Sequence, residues 1–188
     1  MRPTSTLIRP FAFISFAITC TAHCEAALVE WSVASGGNGH FYEVVQLSSP
    51  IGWNAARTAA EARGGHLATL TSWDEHAFVA ALVTAGGRNA FLGGYQANPS
   101  APANETWTWV TGETWDFTAW AGGEPNDQGN PNESYLEMYT IGLWNDVPEA
   151  GSGYAEFAYV VEVVPAPAGA VILLAAPLPF GRPRRRRS

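Results

Sequence analysis

Hydrophobic and polar positions switch between strand and helix periods four times along this chain. Residues 39–46 (GHFYEVVQ) crowd aromatic and β-branched side chains together, which is strand composition. Ser49-Pro50 then offers an N-cap with a proline suited to a first helical turn. Trp53, Ala56, Ala59 and Ala60 recur at helical spacing until Gly64-Gly65 stops the run, and residues 66–70 return to a strand pattern. Ser72-Trp73-Asp74-Glu75 has the form of a capping box, with glutamate three positions after serine. It predicts a second helix that turns Phe78, Ala81, Leu82 and Ala85 inward and ends at Gly86-Gly87.

Beyond Gly87 the helical period is lost. Short aromatic strands are predicted at residues 91–95, 106–110, 135–139 and 155–163, between loops rich in Gly, Pro, Asn and Asp. The stretch 119–134 is one long loop, and such loops in compact domains usually carry function. Two early helices followed by ribbons and loops make an α+β plan without internal repeats.

Composition fits a packed domain: of 188 residues, 47% are apolar and 12% aromatic, which argues against a disordered chain. The charge is uneven. Seven of the ten Arg lie at the ends, whereas residues 28–163 carry three Arg against sixteen Asp or Glu, a net of −13. That body has no basic footprint for nucleic acid. It suits metal cations or neutral polar ligands instead. The absence of Lys excludes Schiff-base lysines and the lysine-bearing phosphate loop.

Both ends look like addresses. Residues 1–27 combine Arg2 and Arg9 with a short apolar run and small residues near Ala26, the pattern of a secretory signal peptide. Its removal takes away Cys20 and Cys24, and with them thiol catalysis, thiolate metal sites and disulfides. Residues 164–188 hold Pro165-Ala166-Pro167, an apolar stretch, and Arg182 with Arg184 to Arg187, the layout of a membrane anchor with a basic inner end.

Candidate chemistry sits in the long loop and just after it. Glu124-Pro125-Asn126-Asp127, Asn132-Glu133 and Trp144-Asn145-Asp146 supply carboxylate and amide oxygens. Hard cations such as calcium take six to eight such oxygens. No His or Cys joins the group, so zinc and copper are disfavoured. In an extended segment Glu124 and Asn126 face one way, and a cis peptide before Pro125 is a way to fix them. Asn145 and Asp146 are expected on a neighbouring strand.

These residues, with their surroundings, resemble the C-type lectin-like domain. The likeness covers nearly all of 39–163. It runs through 53–67 (WNAARTAAEARGGHL), Ala68-Thr69-Leu70, Glu75, Phe91-Leu92-Gly93-Gly94, residues 107–113 (WTWVTGE) and Trp120 to the Glu-Pro-Asn and Trp-Asn-Asp segments. The resemblance implies an α+β lectin-like fold, two helices with small antiparallel sheets and a long ligand-binding loop. It also implies one calcium ion (Ca2+) held by Glu124, Asn126, Glu133, Asn145 and Asp146, the same side chains bonding a carbohydrate. Glu-Pro-Asn is similar to the version selecting equatorial vicinal hydroxyls, as in mannose- or glucose-type units. The tail resembles a PEP-CTERM sorting signal, with Ala166 in place of the usual glutamate. It implies export by a Gram-negative bacterium, transient membrane anchoring, a sorting protease as partner, and delivery to the cell surface or an exopolysaccharide matrix.

Two departures stand out. The family's disulfide cysteines are missing, with Tyr135 and the region near Ala155 in their places. The spacing from Glu124 to Glu133 is one residue longer, so Asp127 or Asn132 are alternatives to Glu133. Paired carboxylates also occur in glycosidases, but nothing in the pattern supplies an apolar cleft to raise one of them, so no enzyme is expected. The alternative is a calcium-independent structural or adhesive matrix protein that uses the same scaffold to bind protein.

Overall fold

The computed structural model describes residues 27–128, 132–149 and 156–166. Nearly all of the expected signal segment, most of the sorting tail, and Ala155 lie outside the described residues. The elements in chain order are β1 (Val29–Glu30), a short 3-10 turn (Val33–Ser35), β2 (Phe41–Ile51), α1 (Trp53–Ala62), β3 (His66–Leu67) and α2 (Trp73–Gly86). They continue with β4 (Ala90–Gln96), β5 (Trp107–Trp109), β6 (Tyr135–Met138), β7 (Trp144–Val147) and β8 (Glu156–Val163). No helix among the described residues is long and apolar enough to cross a membrane.

The α+β class is as expected, and the strands join into one sheet in the order β1-β2-β8-β4-β6-β7, with β3 on β8 and β5 on β4. Pairing is antiparallel except at β4–β8, where Phe91 faces Tyr159 in parallel. Strand alternation divides the core between the two faces. Val44, Leu92 and Val160 pack with Val79 and Val83 of α2, while Val45, Phe91 and Val161 pack with Trp53, Ala56 and Ala60 of α1.

Three local expectations need correction. Ser49-Pro50 does not start the helix: β2 continues to Ile51, which pairs with Glu156, so the ladder overrides the local cap. The N-cap is Gly52, which supplies no side chain to the first turn. Instead Glu149 reaches in from beyond β7, accepting from the Asn54 amide N–H at 3.3 Å and its Nδ2 at 2.8 Å. In α2, Ala81 and Ala85 are exposed, and Glu75, His76, Val79 and Val83 are buried. The helix is apolar on most of its surface, so period alone left its rotation undetermined. The capping serine is as expected, Ser72 Oγ accepting from the Glu75 N–H at 3.2 Å. The Glu75 carboxylate, however, takes the Thr71 N–H at 2.8 Å rather than that of Ser72.

Gly93 shows why a glycine stands in a central strand. A Cβ there would lie 2.5 Å from the Leu67 carbonyl oxygen and 2.9 Å from Val110 Cγ2, because 67–68 and Val110 both close on β4 at this point. Gly93→Ala must therefore move backbone. Thermal melting should show a loss of about 2 kcal/mol, read as a fall of roughly 6 °C.

Candidate functional site

The loop after Trp120 is laced to β7 at its start. The Trp144 N–H donates to the Ala119 carbonyl and the Ala121 N–H to the Trp144 carbonyl, both at 2.9 Å. A turn through Gly122-Gly123 follows, and the Glu124–Pro125 peptide is cis, as the sequence suggested. The chain then folds over Asp146. This fully buried carboxylate accepts the Asn126 N–H on both oxygens at 3.0 Å and the Asp127 N–H at 2.9 Å. Asp127, in the left-handed region at φ 52°, turns its own Oδ1 to the Glu133 N–H at 3.0 Å. One aspartate thus ties β7 to the loop's first half, and another ties that half to its end.

The acids meet without a cation among the groups that shift them. Glu133 is pushed up to about 7, first by burial and then by the charges of Asp146, Glu124 and Asp127. Glu124 is raised by burial, by the Asp146 charge and by a carboxyl contact with Asp146, against a smaller pull from Asn126. Among the described residues no donor meets its buried Oε2 in hydrogen-bond geometry. Tyr139 is held up at about 12 by burial, then by Glu137, Glu124, Asp146 and Glu133. A buried, orphaned carboxylate oxygen among like charges is costly unless a cation or a proton neutralises it. The donors are oxygens, so a hard cation fits them.

Among the residues expected in the site, Glu124, Glu133 and Asp146 share this neighbourhood. The Asn126 amide acts on Glu124 while its Oδ1 accepts from the Gln128 N–H at 2.6 Å. Asn145 donates Nδ2 to Glu137 Oε1 at 3.0 Å. The two alternatives to Glu133 are engaged elsewhere: Asp127 caps Glu133, and Asn132 donates to the Pro99 carbonyl. Glu137 escaped the sequence reading, although a charged residue between the apolar Leu136 and Met138 was a usable signal.

A second group was also missed. His40, Glu75 and Glu162 bring ligand-type atoms within 4.8 Å of one another. Their hydrogen bonds are already made. Glu75 accepts from Tyr42, Asn38 and Thr71, and Glu162 from Thr69, with His40 Nδ1 2.6 Å from its other carboxylate oxygen. A network this complete braces β2 and β8 against α2. Tyr135, in a place where the resemblance puts a cysteine, packs against Trp53 in a tilted pair with ring centroids 4.8 Å apart and takes a bond from Asn54 Nδ2 at 3.4 Å. With Glu149 on the same amide, β6 and the segment after β7 are held to α1 by hydrogen bonds instead of sulfur.

A model of the lectin C-type domain matches residues 49–154. Over 125 residues the chain is 29% identical to C-type lectin domain family 4 member G of Mus musculus, covering 66% of this chain and 40% of that protein. It is 30% identical over 96 residues to the type-2 ice-structuring protein of Osmerus mordax, covering 51% of this chain and 53% of that one. The chain thus spans about half or less of the length of these curated relatives. The cow C-type carbohydrate-recognition domain of CD23, solved in the presence of a GlcNAc2Man3 oligosaccharide, superposes with a TM-score of 0.57 at 24% identity. That match covers 69% of this chain and 91% of the cow domain, and at that identity it speaks to the fold. With the family model spanning more than half of its residues, and the same architecture built around them, the chain belongs to the C-type lectin domain family.

Proposed function

We propose that this domain binds carbohydrate through calcium held by Glu124, Asn126, Glu133, Asn145 and Asp146. The ligands favoured are equatorial vicinal hydroxyls of mannose- or glucose-type units in an extracellular polysaccharide. The observation that carries this reading is the orphaned Glu124 Oε2 beside Asp146 and Glu133. Those acids leave negative charge uncompensated where the loop and β7 meet. Calcium, when bound, supplies that positive charge and polarises the sugar hydroxyls. Glu124 and Glu133 are suited to accept from those hydroxyls, and the Asn amides to donate to them. Sugars expose little apolar surface, so such charge-assisted bonds supply most of the specificity. Similarity to lectins, and to a cow domain solved with an oligosaccharide, supports the carbohydrate class.

Export and delivery to the cell surface or matrix of a Gram-negative bacterium belong to the same proposal. Residues 1–27 are its signal peptide, and residues 164–188 engage the membrane and a sorting protease.

A glycan array probed with and without chelator tests the function. Binding to mannose- or glucose-type glycans that chelator abolishes is the expected result, and chelator-resistant binding would overturn the mechanism. Melting supplies a second measurement. A hundredfold excess of calcium over its Kd adds about 2.7 kcal/mol, a rise of roughly 8 °C for a domain of this size. An unchanged melting temperature in millimolar calcium removes the metal. Glu124→Gln should weaken calcium and sugar together, since one carboxylate serves both.

A further inference from the structure

We infer that Glu137 is the positioning residue that fixes the side-chain amide of Asn145 for its role in the cation site. This inference rests on the calcium reading above and deepens it. Glu137 lies at the centre of β6, paired with Asn145 of β7 on one side and with Phe91 of β4 on the other, and is fully buried. A carboxylate in that place needs a polar reason, because strands with neighbours on both sides bury apolar residues more cheaply. Leu136 and Met138, which flank it in sequence, are such residues.

One such reason is across the ladder. Asn145 Nδ2 donates to Glu137 Oε1 at 3.0 Å. The two ends of an Asn amide have nearly the same shape and opposite hydrogen-bonding character, so shape alone does not choose which end faces where. The carboxylate oxygen facing the amide makes the choice, since it accepts the N–H. With the nitrogen committed to Glu137, the amide oxygen is turned away from Glu137 and is left to serve a cation. Only one of the two N–H groups is consumed, and the other is left for a hydroxyl. Glu137 also adds a carboxylate to the neighbourhood that Tyr139 shares with Glu124, Glu133 and Asp146. A pocket built for a neutral amide alone does not call for that charge. Groups behind the ligands of a metal commonly set its affinity in this way.

The test is calcium titration by calorimetry on the whole domain, with methyl mannoside as sugar probe. Glu137→Gln keeps the volume but presents an amide that donates as readily as it accepts, so Asn145 is no longer told which way to turn. Calcium affinity should fall about tenfold or more, and mannoside binding with it, while near-ultraviolet circular dichroism stays unchanged. Asn145→Asp alone sets a carboxylate against Glu137 and should weaken calcium further. Combining Glu137→Gln with Asn145→Asp exchanges donor and acceptor across the ladder, the introduced amide donating to the introduced carboxylate. That pair should restore affinity to within a few-fold of the parent. A Glu137 needed only for packing would give the double variant no rescue. Glu137→Gln binding calcium as tightly as the parent overturns this inference and leaves the calcium reading standing. A parent domain that binds no calcium overturns both.

Discussion

Asp146→Asn should abolish calcium binding in the millimolar range and remove all sugar binding that depends on it. Asp146 faces two tasks with two oxygens. Both already accept backbone N–H groups from Asn126 and Asp127 at 2.9–3.0 Å, which sets the path of the loop over β7. After burial, the same carboxylate is the leading charge that raises both Glu124 and Glu133. An asparagine keeps one acceptor and turns a donor toward an N–H that had been accepted. It therefore removes one unit of charge from the site and leaves a buried backbone donor opposed to another donor. Each defect costs on the order of 1–3 kcal/mol, so together they amount to about 2–6 kcal/mol, a loss of about thirtyfold or more in affinity. Calorimetry with calcium alone reads the first effect. Proteolysis of the loop between 126 and 133 in chelator reads the second, and should be faster in the variant. Calcium affinity within tenfold of the parent would show that Asp146 shapes the loop without serving the cation.

Much of this arrangement was legible in the sequence, and the parts that were not share a cause. Ser72 with Glu75, and the Gly86-Gly87 stop, act within a few residues, so α2 could be bounded from sequence: Ser72 caps it and Gly87 closes it at φ 69°. Ser49-Pro50 failed because its competitor is distant. The β2–β8 ladder reaches Ile51 through Glu156, more than a hundred residues away in sequence. The rotation of α2 failed for a related reason, since Glu75 is turned inward by Tyr42 and Asn38 and not by its own helix. In the site, Glu-Pro-Asn and Trp-Asn-Asp are compact motifs whose residues keep their spacing whatever the fold does. Glu137 has no motif. Its meaning comes only from the register that sets it opposite Asn145, and register is a property of paired strands.

The pH response should differ in sign between apo and calcium-loaded protein. In the folded chain Glu133 stands at about 7 and Glu124 is also raised, burial being the first cause for each and Asp146 the next. In the unfolded chain both return to about 4.3. Between those values the folded state holds protons that the unfolded state has lost. The stability tied to these groups is therefore complete below the unfolded value and is lost as pH rises through the folded one. In chelator, melting temperature should fall between about pH 5 and about pH 8. Calcium needs the same carboxylates ionised, so its affinity should rise about tenfold per pH unit for each proton displaced. With millimolar calcium the melting temperature should then climb over the same interval, and the difference between the two curves cancels groups outside the site. Calorimetry in two buffers of different ionisation enthalpy should find on the order of one proton released per calcium near pH 6. Asp146→Asn in chelator should flatten the apo curve, because the charge second only to burial in raising Glu133 is gone. Parallel curves with and without calcium would mean that Glu124 and Glu133 do not hold the ion.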